Sequence, residues 1–331
     1  MLDARKTAIL TAVVQEYITT AQPVGSGHVA NEPAISVSPA TVRSEMVVLE
    51  QDGYLVQPHT SAGRIPTDKG YRYFVDHLTS PGTLDQTSMR QVGDFFSAAH
   101  GRLEEMMHQT SNLLAELTSN AAVVVAPRSE ASAVRSVQIV SLPGGAATVV
   151  AVFANGSVEN TTIDLDGDID PLKLSAAGAH LSAALDGAPL GTIRTVSATG
   201  DDVVDGLCRT ALAALQGLPS DDHVYTGGVS AVADAFDAVD VVRNVLHTLE
   251  QQFIVVSLVS DIVNRGMSVA IGVEHGVEPL SACSVVVAPV VVEGEHVGSV
   301  GVLGPTRMDY PQALATVDVV SEQLGQRIEE G

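Results

Sequence analysis

A run near the N-terminus, Ser38-Pro39-Ala40-Thr41-Val42-Arg43-Ser44, gathers three hydroxyls and one guanidinium in a short stretch. If the run opens a helix, Ser38, Thr41, Arg43 and Ser44 leave its first turns together and can hydrogen-bond to base edges or phosphates in a duplex groove. Arg43 carries the most weight, because an arginine fork on guanine discriminates by roughly 1–3 kcal/mol. Farther on, His59, Thr60, Ser61 and Arg64 surround Gly63. Compact donors beside a residue that lets the backbone approach closely suit a loop laid on phosphates or in a minor groove. Other reactive-looking groupings are poorer. Glu274-His275 and Glu295-His296 lack both the spacing and the third ligand of a metal site. The glycines between Gly298 and Gly304 follow neither the dinucleotide nor the phosphate-loop spacing. Ser230 lacks the glycine a nucleophile elbow needs. The chain does not read as an enzyme, and no cofactor or metal is expected.

The elements around these residues are legible. Ala4 to Thr20 carries Ile9, Val13 and Tyr17 with Leu10, Val14 and Ile18 at helical spacing and stops before Pro23. Ser26 to Glu32 is a short second helix ahead of Pro33. Ser38-Pro39 opens a third with a capping hydroxyl and a first-turn proline, stripes Val42, Met46 and Leu49, and ends at Gly53. Three helices in this order make a helix-turn-helix. Tyr54 to Val56 and Arg64-Ile65 pair around the tip 58–63 as a hairpin, the wing of a winged helix. A further helix from Thr67-Asp68 aligns Tyr71, Phe74 or Val75, and Leu78, and Ser80-Pro81-Gly82 closes a first domain at 1–80.

Beyond it, Val92, Phe96, Ala99, Leu103, Met106, Thr110, Leu113 and Leu117 step by three and four. That seam suits a dimer coiled coil or, better given Gly93, Gly101 and few flanking charges, a long helix packed on its own domain. Strands are expected at Ala122 to Ala126, Val134 to Leu142 and Ala147 to Phe153, and again at Ser268 to Val273, Ser284 to Val292 and Val297 to Leu303 before a last helix, Gln312 to Ile328. Between these β-rich halves lie a strand at Ser157 to Ile163, helices near Leu172 to Leu185 and Val203 to Leu215, strands at Thr192 to Ser197 and Val224 to Thr226, and then a further segment at Val239 to Leu249. The expected fold class is α+β and multidomain: a winged helix-turn-helix at 1–80, then a sensor-like domain at 84–155 and 253–331, split by an α+β insertion at 156–252.

Composition bounds the partners. The 331 residues are 45% hydrophobic and 17% charged, enough apolar surface for several cores. Apolar runs such as Val285 to Val292 fall short of the ~18 residues a membrane span needs, and the N-terminus lacks a signal-peptide pattern, so a cytoplasmic protein with no membrane contact is expected. Cys208 and Cys283 fit no metal or disulfide framework and read as buried thiols. The net charge of −22 looks wrong for a partner of nucleic acid. Its distribution corrects that impression: residues 1 to 75 hold six Lys and Arg against seven Asp and Glu, leaving −21 for the rest. A near-neutral head on an acidic body favours specific contacts over nonspecific affinity.

Pro23-Val24-Gly25-Ser26, the run Ser38 to Met46, Gly53-Tyr54-Leu55, and above all Gln57-Pro58-His59-Thr60-Ser61-Ala62-Gly63-Arg64-Ile65-Pro66-Thr67-Asp68-Lys69-Gly70-Tyr71-Arg72-Tyr73 closely resemble the HrcA repressors. Ile271-Gly272-Val273-Glu274, Cys283 to Val286, and Gly304-Pro305-Thr306-Arg307-Met308-Asp309-Tyr310 resemble the family's later motifs, so the likeness spans nearly the whole chain and is weakest at 165–220. Ser44 stands where the family usually has Asn. The resemblance implies a winged-helix head, a GAF-like domain and an inserted dimerising domain, in a homodimer binding double-stranded DNA at an inverted-repeat operator upstream of chaperone operons. It also implies that a GroE-type chaperonin keeps the repressor active; the uncharged, β-prone Ala122 to Val125 and Val285 to Val292 offer a physical reason, since heat exposing them favours aggregation. The competing reading is a metabolite-sensing regulator whose GAF-like pocket binds a small molecule.

Overall fold

Helices of the N-terminal part begin at residues that satisfy amides left open in a first turn. Asp3, Ser38 and Thr67 accept from the backbone N–H groups of Lys6, Thr41 and Gly70, each cap worth about 1 kcal/mol. The computed structural model describes residues 2–60, 62–78, 82–98, 103–125, 133–154, 158–165, 167, 169–192, 195–217, 224–230, 236, 238–266 and 268–330. Helices α1 (Ala4–Thr20), α2 (Ser26–Val29) and α3 (Pro39–Gln51) are followed by a hairpin of β1 (Leu55–Val56) and β2 (Ile65–Pro66), then α4 (Asp68–Asp76). The second helix is a single turn and does not reach Glu32.

Within the described residues the expected long helix is seen as α5 (Gln86–Ala98) and α6 (Leu103–Thr118), with Ala99 and Gly101 outside them. Their seam is consumed within the chain, since Val92, Phe96, Thr110, Leu113 and Leu117 are buried.

Strand β3 (Ala121–Val125) then enters an antiparallel five-stranded sheet ordered β7-β3-β10-β9-β8, with β7 (Val224–Gly227), β8 (Val269–Ile271), β9 (Cys283–Val292) and β10 (Glu295–Pro305). One face, with Ala122, Val124, Val286 and Val302, packs on α6 and α11 (Tyr310–Glu330). The other, with Val123, Val285, Val287 and Leu303, packs on α9 (Val239–Glu250) and α10 (Gln252–Asn264). Coverage on both faces explains the apolar run from Val285 to Ala288, whereas Pro289 and Val291 farther along β9 are exposed. Helix α10 was not foreseen, because Phe253-Ile254-Val255-Val256 has as strong a claim to strand as to helix. Both cysteines are free and buried, and burial pushes the Cys283 thiol up to about 12.

Strands β4 (Val134–Leu142), β5 (Ala146–Phe153) and β6 (Val158–Asp164) form a second antiparallel sheet. It shares a separate core with α7 (Pro171–Leu185) and α8 (Asp202–Gln216). The first two strands were expected in the sensor-like domain, with the insertion running from 156 to 252. Hydrogen bonding places them with β6 instead, while β7 and α9 belong to the larger sheet. The chain leaves that sheet at Val125 and re-enters at Val224, its direct partner in register. No strand forms over Thr195 to Ser197 in the described part of the expected Thr192–Ser197 strand. Val196 is held by packing on the smaller core, and the Thr199 amide that follows donates to Asp205 (2.7 Å) rather than to a neighbouring strand.

The head is not a free bead on a linker. Its core, from Ile9 to Phe74, is continuous with that of α6 and α11 through Tyr71 and Tyr310, whose rings lie 5.9 Å apart. Tyr71 is 2% exposed and its hydroxyl has no partner among the described residues. His275 is buried as the neutral tautomer, its Nδ1 accepting from the Val277 amide and its Nε2 donating to the Leu280 carbonyl (3.0 Å). Burial holds its pKa below the ordinary 6.5, although the Leu280 and Cys283 backbone groups and the charges of Asp68 and Glu274 pull the other way.

Two outcomes are expected. Tyr71→Phe removes an unpaired buried hydroxyl and should stabilise by about 1 kcal/mol, read as a higher Tm. For pH, a depressed His275 pKa means the unfolded chain takes up the proton first, so this contribution is complete above the ordinary 6.5 and is lost as pH falls through the folded-state value. His275→Gln should therefore flatten the fall in Tm between about pH 7 and pH 5.

Candidate nucleic-acid interface

Helix α3 buries Val42, Met46 and Leu49 against α1 and α2. That spacing turns Ala40, Arg43, Ser44 and Val47 outward as one exposed stripe. Its hydroxyls are partly spent locally: Ser38 Oγ caps the helix and lies 3.0 Å from Thr41 Oγ1, and Ser44 Oγ donates to the Ala40 carbonyl at 3.2 Å. Each hydroxyl keeps acceptor capacity. Arg43 differs, for no ion pair or hydrogen bond among the described residues engages its guanidinium.

The other cations of the head are committed. Arg5 and Lys6 pair with Glu45 at 3.6 Å each, and Lys6 also with Asp3 at 2.7 Å. Lys69 donates to the Asp52 carbonyl (2.7 Å) and sits 4.3 Å over the Tyr54 ring. Arg64 grips Glu50 through Nε (2.9 Å) and a terminal nitrogen (2.8 Å). Arg72 is taken by Glu274 and Val269. These contacts also occupy Glu45 and Glu50, acids carried by α3 itself. The near-neutral head thus presents an unpaired positive charge where the helix faces outward.

The hairpin stands beside α3. Gln57 Nε2 donates to the Thr60 (3.2 Å) and Ala62 (2.9 Å) carbonyls, folding the tip back and leaving His59 and Thr60 exposed. Ser61 lies outside the described residues. Arg64 departs from the sequence expectation: its side chain is 14% exposed, so it ties the hairpin to α3 instead of offering a cation to solvent. Its backbone exchanges two 2.9 Å hydrogen bonds with Val24. There Gly63 is required, because a Cβ would stand 2.3 Å from the Val24 carbonyl oxygen.

The HrcA protein C-terminal domain profile matches residues 104–314. Heat-inducible transcription repressor HrcA of Moorella thermoacetica is 35% identical over 99% of this chain and 98% of its own length. That of Acidothermus cellulolyticus is 35% identical over 100% of both. The chain belongs to the HrcA family of heat-inducible transcription repressors. These HrcA relatives are repressors, not enzymes. The HrcA assignment agrees with the sequence resemblance and extends from end to end. A crystal structure of a hypothetical protein at 2.2 Å resolution shares the fold, with a TM-score of 0.69 at 23% identity, covering 100% of this chain and 99% of that one.

For this HrcA chain, sequence reasoning missed how α3 is held. Glu50 and Arg64 lie 14 residues apart, at no helical or strand spacing, and no local pattern announces their pairing. Glu274, in sequence a poor metal ligand within a family motif, is an ion-pair partner of the head. Among the described residues no His, Cys, Asp and Glu cluster could hold a metal ion, and no helix is long and apolar enough to cross a membrane.

Gly63→Ala is expected to cost about 2 kcal/mol or more, by forcing the hairpin off the α1–α2 connection. Arg64→Met should loosen the same hairpin while Arg43→Met leaves Tm unchanged, a contrast that paired melting curves would read.

Proposed function

We propose that this protein is a homodimeric repressor that reads an inverted-repeat operator with a winged helix-turn-helix head, α3 lying in the major groove and the hairpin serving as wing. The observation that carries this reading is Arg43, the head cation without a partner among the described residues, on the outward stripe of a helix whose own acids are neutralised. Ser38, Thr41 and Ser44 surround it as hydrogen-bonding groups. His59 and Thr60, with Ser61, supply the wing's contacts, and Arg64 acts by holding the wing against α3. The five-stranded sheet with its covering helices is the GAF-like body, and the β4-β5-β6 unit is the inserted dimerising domain. Its outer sheet face supports self-association: Val140, Leu142 and Val158 are exposed there, and the register puts them on one face with Thr148, Val150 and Val152. A symmetric dimer places one head on each half-site.

Regulation by a GroE-type chaperonin in the cytoplasm fits the position of β3 and β9, apolar interior strands on either side of β10 that heat would expose. The metabolite-sensor alternative draws less support, since cavities of 980 and 620 Å³ are lined chiefly by α8 and its neighbouring loops in the inserted unit, and one of 660 Å³ by the outer faces of α5 and α6, none of them by strands of the larger sheet.

The test is binding of the purified protein at ~150 mM salt, where nonspecific affinity is suppressed, to a duplex bearing the inverted repeat upstream of its own genome's chaperone genes, against a scrambled duplex. A preference for the repeat is expected, and Arg43→Ala should reduce it by at least about tenfold, as loss of an arginine–guanine contact would. Equal affinity for both duplexes at every salt would overturn the reading. Heating without chaperonin should cost operator binding that chaperonin restores; full retention would overturn that part.

A further inference from the structure

Arg72 joins two parts of the chain 202 residues apart. From α4 its Nε donates to Glu274 Oε1 at 2.9 Å, and one terminal nitrogen reaches both Glu274 Oε2 and the Val269 carbonyl (2.8 Å). The Glu274 carboxylate is held from behind by the Ile271 amide at 2.9 Å. Burial raises the Glu274 pKa, but the hydrogen bonds from Arg72 and Ile271 outweigh it and keep the carboxyl below its ordinary value. Asp68, also on α4, fits against Gly272, where φ is +55° and a Cβ would stand 2.1 Å from Asp68 Oδ2. On the other side, α4 is fastened to the end of α3: Thr67 Oγ1 donates to the Gly53 carbonyl (2.7 Å) and Lys69 to that of Asp52. A chain of directed polar contacts therefore runs from α3 through α4 to the 269–275 segment, and the outward stripe of α3 stays uncovered.

We infer that the Arg72–Glu274 contact is a positioning clamp that fixes the direction in which α3 faces relative to the body, so that two copies of this chain present their heads at one set separation. This rests on the DNA-reading function proposed above. A head read in isolation needs only its own fold. Two heads read together need a fixed geometry, and each freedom left to the heads lowers the effective concentration of the second for its half-site. The clamp acts through α3, and neither of its residues touches DNA.

The experiment uses the full-length protein and its Glu274→Gln, Arg72→Gln and doubly substituted forms, with Glu274→Asp as a variant that keeps the charge but shortens the reach. Each is titrated against a duplex with one arm of the repeat, one with both arms, and ones with the arms moved apart by about five or ten base pairs, half and one helical turn. The expected result is single-arm affinity unchanged and two-arm affinity lower by roughly tenfold. The penalty for a half-turn displacement, steep in the parent, should be flattened in the variants. The double variant should be no worse than either single one, as for two residues acting as one unit. Unchanged two-arm affinity and spacing preference would overturn the clamp. Equal losses on one and two arms would also overturn it, by making Arg72 part of the head's own stability. A parent protein that prefers neither the single arm nor the repeat over scrambled DNA would instead remove the DNA-reading function on which the clamp rests.

Discussion

A guanidinium taken largely out of water must find its counter-charge and acceptors, and Arg72, with Asp76 on its own helix at 3.3 Å, finds the rest far along the chain in Glu274 and Val269. With side-chain exposures of 25% and 28%, the pair lies between a surface bridge, worth a fraction of a kcal/mol, and a buried one whose disruption costs several. Its value is directional. A two-pronged arginine–carboxylate contact tolerates little rotation, and here the carboxylate is itself anchored by a backbone amide. Apolar packing between Tyr71 and Tyr310 supplies attraction at the same seam but would accept several orientations. The ion pair selects one, and the placement of α4, the end of α3 and the hairpin follows.

The same economy of charge shapes the exposed face of α3. Six cations in the head would suggest a broad basic patch, but folding spends most of them internally. That spending also removes Glu45 and Glu50 from the electrostatics of α3. With the remainder of the chain at −21, diffuse attraction to phosphate is opposed by the body, and binding must depend on few, well-placed groups. On the proposed operator-reading function, such a repressor would gain discrimination at the expense of nonspecific affinity, and a second copy of the head would be the natural means of regaining strength.

Much of the architecture was written locally. Ser38-Pro39 announces α3 through a cap and a first-turn proline, and the Val42, Met46 and Leu49 spacing states which side is buried. The hairpin after it follows from the polar tip and Gly63. The limits of the β4-β5-β6 unit were not local. β4 and β5 alternate as strands wherever they are placed, and only the pairing of β5 with β6, and of Val125 with Val224, assigns each strand to its sheet. Helix α10 was hidden for a related reason, its β-branched residues being equally at home in either element.

The sequence by itself determined the family, the order of the head's elements and the outward-facing residues of α3, because caps, periodicity and a long specific motif act over a few residues at a time. Tertiary structure alone decided which charges remain available. The sequence offers both Arg43 and Arg64 as cations for DNA; one projects from an uncovered helix face, and the other is folded onto Glu50 at 14% exposure. Glu274 became a partner of the head by the same route. Ion pairs between distant residues depend on how whole elements are brought together, and Coulomb attraction leaves no period in the chain by which they can be read.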